Sequence, residues 1–168
     1  MCGIAGEWDW GDVPRAQSAL VAMIDSLVHR GPEGRTCWLS PDRTLALGYA
    51  QLSFFKGAKA QPISNRRNTI FAVCNGEIYN YRELAGLARQ PELRSDIEVI
   101  SYLYELRGPS SFALLQGEFA FALYDCENQS LYLVRDGFGI KPLYYHTTVS
   151  SVVFASEIKA QASSFGDQ

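Results

Sequence analysis

The 168-residue sequence predicts an α+β fold built on antiparallel sheets. Strand-type runs cluster toward both ends of the chain, helical periodicities lie between them, and the strand–helix–strand alternation that builds a parallel sheet is missing. The length suits one domain with a well-covered core and falls short of what two would need, so residues 1–168 are expected to form a single domain.

Cys2-Gly3-Ile4-Ala5-Gly6-Glu7-Trp8 reads as a first strand, its glycines allowing other backbone to approach the N-terminus. Pro14 suits a first helical position, and Leu20, Met23, Ile24 and Leu27 recur at i, i+3, i+4 and i+7, giving an amphipathic helix that His29-Arg30-Gly31-Pro32 ends. Strands are expected over Arg35–Leu39 and Thr44–Ala50, divided by the turn signal Ser40-Pro41-Asp42. Phe54–Asn68 reads as a loop, and Thr69–Cys74 as a buried strand. Asn75-Gly76 is a hairpin dipeptide, yet Asn80, Glu83 and Leu84 mark a helix start where a returning strand would stand. The pair is therefore expected to end its strand. Ser95-Asp96-Ile97-Glu98 matches a capping box before a helix with Val99, Ile100, Leu103 and Leu106 on its apolar face. Four more strands follow at Phe119–Tyr124, Ser130–Val134, Leu143–His146 and Val152–Ala155. Arg135–Pro142 contains Gly137-Phe138-Gly139 but lacks the third glycine and following helix of a dinucleotide fingerprint, so it reads as a structured turn. The tail from Gln161 is polar and expected to fray.

Composition removes several function classes. The formal charge is −3, without a basic run, which speaks against nucleic acid. No apolar run reaches the ~18 residues of a spanning helix and no signal-peptide pattern opens the chain, so no membrane association and a cytoplasmic location are expected. Cys2, Cys37, Cys74 and Cys126 are scattered and have only His29 and His146 as companions, which argues against a metal site and against a disulfide framework. Cys74 and Cys126 end apolar runs and read as core thiols.

Cys2 is different. Once Met1 is trimmed it carries both a thiol and an α-amine, and an amine with a pKa of roughly 7.7–8.0 is a usable base at neutral pH. Nucleophiles activated by an N-terminal amine are a recognised route to an acyl-enzyme, with the thiolate as the reactive form.

A set of segments then converges: Met1-Cys2-Gly3-Ile4, His29-Arg30-Gly31-Pro32-Glu33-Gly34, Asn75-Gly76-Glu77-Ile78-Tyr79-Asn80, Ser95-Asp96, Gln116-Gly117 with Phe119–Ala122, Arg135-Asp136 with Gly139–Tyr144, and Ala155–Lys159. Together they resemble the glutaminase domain of asparagine synthetase-like class II glutamine amidotransferases, over nearly the whole chain and in the right order. The resemblance implies the N-terminal-nucleophile hydrolase fold, a four-layer αββα sandwich with two antiparallel sheets. It implies hydrolysis of the glutamine amide through a Cys2 thioester, with ammonia passed to an ATP-dependent amide-forming synthetase domain or subunit. By the same resemblance Asn75 and Gly76 hold the oxyanion, Glu77 and Asp96 receive the substrate α-ammonium, backbone at Leu52 and Ser53 lines the glutamine, and Arg30 supports the cysteine. No cofactor is implied in this domain; ATP and Mg belong to the partner.

Two departures stand out. The arginine that in this family forks onto the substrate carboxylate is replaced by Gln51, and a neutral amide cannot reproduce a bidentate guanidinium pair. That leaves open the same chemistry on a modified glutamine or another amide, and, as a third reading, a non-catalytic scaffold. The second departure is that the synthetase domain is absent from this chain.

Overall fold

The computed structural model describes residues 1–11, 17–52, 61–89, 93 and 95–162. Pro14, Ser53, residues 54–60 of the expected loop and the tail beyond Ala162 lie outside the described residues. The chain divides into two compact units, Met1–Lys56 with Pro142–Gln168, and Gly57–Lys141.

In the first unit β1 (Gly3–Asp9), α1 (Gln17–Ser26), β2 (Gly34–Leu39) and β3 (Leu45–Gln51) are joined by three elements from the far end of the sequence. The five-stranded sheet has the order β2-β3-β1-β9-β8, where β8 and β9 are Tyr144–Thr147 and Ser151–Ala155, and all its pairings are antiparallel. The N-terminal strand is thus central, flanked by β3 and β9. Leu20, Met23, Ile24 and Leu27 are fully buried in a core with Ala5, Ala46, Ala50 and Val153. Each such large side chain contributes about 1.5–3 kcal/mol relative to exposure, which is what holds α1 on this sheet. A short α4 (Ile158–Ala162), unforeseen from sequence, adds Ala160 to the same core.

The second unit contains a four-stranded antiparallel sheet of order β4-β5-β6-β7, with β4 Ile63–Ser64, β5 Ile70–Ile78, β6 Gly117–Asp125 and β7 Ser130–Arg135. Its core joins Ile70, Cys74, Phe119, Phe121 and Leu123 to Ile97, Ile100 and Leu103 of the helical segment. The fold class is α+β, with two antiparallel sheets and their helices.

Five local expectations need correction. β4 lies inside the stretch read as loop; two residues are too short to show a period-2 pattern. β5 does not stop at Asn75-Gly76 but runs to Ile78, with Gly76 opposite Phe119 and Ile78 opposite Gly117. Asn80 does precede α2 (Tyr81–Leu87) but makes no cap bond. Its Nδ2 donates to the Leu114 carbonyl and its Oδ1 accepts from the Gln116 N–H, both at 3.0 Å, tying α2 to the approach to β6. The capping box fails likewise: α3 (Glu98–Arg107) starts behind Ile97 without a side-chain cap, and the Asp96 carboxylate accepts from the Ile78 N–H at 2.7 Å. Tertiary donors outcompete local ones in both cases. Finally Cys74 is buried, but Cys126 is only half-buried.

The turn after β7 is built by one carboxylate. Asp136, buried, accepts from the N–H groups of Phe119, Phe138, Ile140 and Lys141 at 3.0–3.3 Å. Burial opposes its charge, but these four bonds outweigh it and hold its pKa below the ordinary 3.8. Asp136→Ala would leave four N–H groups without that acceptor, and a loss of about 3 kcal/mol or more is expected in urea unfolding at pH 7. A depressed native pKa stabilises above the unfolded value, so the difference from wild type should shrink as pH falls below 3.8 through the native value.

Candidate active site

Cys2 precedes β1 and is half-buried. Its Sγ accepts from the Tyr49 hydroxyl at 3.0 Å and from the Leu52 N–H at 3.4 Å, and stands 3.4 Å from the Leu52 carbonyl, to which a thiol can donate. Antiparallel pairing creates this environment, because Gly3 and Ile4 lie opposite Ala50 and Tyr49 and bring the end of β3 alongside the N-terminus. Tyr49 was missed from sequence, where it is one aromatic within an apolar run; only the cross-strand register brings its hydroxyl to the thiol.

Arg30 Nε donates to the Cys2 carbonyl at 3.0 Å, and Nη1 to Glu157 Oε1 at 3.0 Å. Gly31, next in the chain, lies close against β3, where a Cβ would fall 2.3 Å from the Ala50 carbonyl carbon and oxygen. Glu157 also faces His29 Nε2 at 2.9 Å and Lys159 Nζ at 3.3 Å. Burial works against its charge, but the hydrogen bonds from Arg30, His29 and Lys159 prevail and hold its pKa at about 2. Gln51, half-buried, lies against Gly34, its cross-strand partner, with Oε1 3.4 Å from where a Cβ on Gly34 would stand.

In the second unit, Asn75 is 2% exposed and its Nδ2 has no hydrogen-bond partner. A buried donor left without a partner costs about 1–3 kcal/mol. Gln61, also missed from sequence, brackets the preceding residue. Its Nε2 donates to the Cys74 carbonyl at 2.9 Å and its Oε1 accepts from the Cys74 N–H at 2.5 Å. Glu77 is exposed, and Asp96 is tied to β5 one residue beyond it. The structure therefore gathers Cys2, Arg30, Gln51 and Leu52 at one sheet, and Asn75, Gly76, Glu77 and Asp96 around one strand of the other; Ser53 is outside the described residues. No group of three or more His, Cys, Asp or Glu among the described residues could hold a metal ion, and no described helix is long and apolar enough to cross a membrane.

Solved structures show the fold first. A glutamine phosphoribosylpyrophosphate amidotransferase from B. subtilis matches with a TM-score of 0.78 at 20% identity, covering 98% of this chain and 44% of that one, so the fold is that of the N-terminal-nucleophile amidotransferases. The family follows from sequence: the glutamine amidotransferase domain model matches residues 1–166, and the chain belongs to that family. Among curated relatives, the amidase chry2 of Gibberella zeae is 37% identical over 155 residues, covering 89% of this chain and 23% of its own length. Asparagine synthetase [glutamine-hydrolyzing] 2 of Bacillus subtilis is 36% identical over 167 residues, covering 95% of this chain. The chain spans about a quarter of the length of these relatives, at 23% and 22%.

Proposed function

We propose that this domain hydrolyses the side-chain amide of glutamine through a Cys2 thioester and supplies ammonia to an asparagine synthetase-like partner domain or subunit. The observation that carries the reading is the Cys2 sulfur, held by the Tyr49 and Leu52 donors in a chain that belongs to the amidotransferase family. The chemistry requires removal of Met1, because in the intact chain the Cys2 nitrogen is a peptide nitrogen. The thiolate attacks the amide carbon, and the carbonyl electrons pass to oxygen. The α-amine delivers the thiol proton to the leaving nitrogen, ammonia departs, and water then cleaves the thioester to glutamate.

In this reading Asn75 Nδ2 and the Gly76 N–H donate to the oxyanion, and the unpartnered Nδ2 is what such a donor needs. Glu77 and Asp96 receive the α-ammonium, with Leu52 and Ser53 lining the glutamine. The domain works without a cofactor, ATP and Mg serving the partner. A cytoplasmic setting belongs to the same reading. Release of equal glutamate and ammonia from glutamine by protein whose intact mass shows Met1 removed, abolished in Cys2→Ala, is the expected result. Silence toward glutamine in that protein, with or without an added synthetase partner, overturns the proposal.

A second reading keeps the mechanism and shifts the substrate. Gln51 and the resemblance to an amidase favour it. Gln51→Arg separates the two. If the substrate carboxylate sits at this position, a restored guanidinium lowers KM for glutamine by about 10- to 100-fold, the worth of a charge-assisted bond of about 1.5–3 kcal/mol. An unchanged KM favours a substrate without that contact.

A further inference from the structure

Beside the thiol, one short segment holds the backbone of the nucleophile in ways the reaction itself does not require. Ser156 is fully buried; its Oγ accepts from the Ile4 N–H at 3.0 Å and its own N–H donates to the Ile4 carbonyl at 2.8 Å. The next residue, Glu157, holds Arg30, whose Nε in turn holds the Cys2 carbonyl. The peptide plane between Cys2 and Gly3 is therefore fixed by a chain of side chains that begins at Glu157. Three cationic or imidazole groups converge on that carboxylate, His29 and Arg30 on one oxygen and Lys159 on the other.

We propose that Glu157 is a positioning residue for the nucleophile, acting through Arg30 to fix the Cys2–Gly3 peptide while Ser156 pins the strand two residues further on. The inference rests on the glutaminase reading for its kinetic consequence and on geometry alone for its structural one. Arg30 has a side chain only 9% exposed, so its guanidinium has few other acceptors, whereas Glu157 at 25% is partly solvated. Because Arg30 is nearly buried, loss of its carboxylate partner carries a cost in the fold as well. Displacement of a reacting atom by about 1 Å can cost a rate factor of 10². Loss of Glu157 is thus felt at the nucleophile as well as in the fold.

The test compares mature wild type with Glu157→Gln, Arg30→Lys and the double variant. Glu157→Gln is expected to lower kcat for glutamine about 10-fold with KM within twofold, and to lower the thermal midpoint while the protein stays folded at the assay temperature. The double variant should lose no more than Arg30→Lys alone, the non-additivity of two residues in one chain of contacts. Exchange of the Gly3 amide hydrogen, which belongs to the peptide held by Arg30, should quicken about 10-fold in Glu157→Gln while amides of α1 keep their rates. Additive losses with unchanged Gly3 exchange overturn the proposal. Should wild type fail to hydrolyse glutamine, the proposed function falls, and the exchange measurement still decides the positioning role.

Discussion

Asn75→Ala is expected to lower kcat for glutamine by about 10²- to 10³-fold while the protein remains folded. One lost oxyanion donor typically costs this much, equivalent to about 2.7–4 kcal/mol of transition-state stabilisation. Stability should respond differently, because Nδ2 makes no hydrogen bond in the structure and the side chain is 2% exposed. Removing a buried, unpartnered donor relieves a desolvation cost of about 1–3 kcal/mol, which offsets the packing lost with the amide. The net change in unfolding free energy should stay within about 1 kcal/mol. Steady-state kinetics and urea unfolding on the same preparation check both halves; an unchanged kcat removes Asn75 from the machinery.

Gly76→Ala should act on the fold first. Gly76 has φ of +139°, a conformation that L side chains rarely adopt, and a Cβ there would sit 2.0 Å from the Glu118 carbonyl oxygen and 2.6 Å from the Phe119 Cα. Both contacts are backbone of β6, which cannot swing aside as a long side chain can. Relief requires β5 and β6 to part near one end of a pairing that runs from Ile70 opposite Asp125 to Ile78 opposite Gly117. A loss of about 3–5 kcal/mol is expected, the range of severe backbone and overpacking defects. The urea midpoint measures it, and a variant within 1 kcal/mol of wild type would show that the strands tolerate a Cβ here.

Asn75 and Gly76 also mark where reading along the chain reached its limit. The family resemblance implied an oxyanion site here, but the expectation that they end a strand was wrong. A hairpin dipeptide normally terminates pairing; here the glycine serves the close approach of β6, a partner more than forty positions away that no local pattern reveals. Asn80 and Asp96 repeat the lesson. Asn80 stands where a helix cap is expected and Asp96 in an expected first turn, yet each side chain is drawn to a backbone group of a neighbouring segment. Tyr49 and Gln61 had no local signal at all.

What the sequence determined by itself was the α+β class, most strand positions, the amphipathic face of α1 and the identity of Cys2, because periodicity and side-chain chemistry are carried by neighbouring residues. The tertiary structure alone decided which donors face the Cys2 sulfur, that Asn75 Nδ2 is left without a partner, and that Glu157 reaches the Cys2 carbonyl through Arg30. Those outcomes depend on strand register and on burial. Both arise only when segments distant in the chain exchange hydrogen bonds and exclude water together.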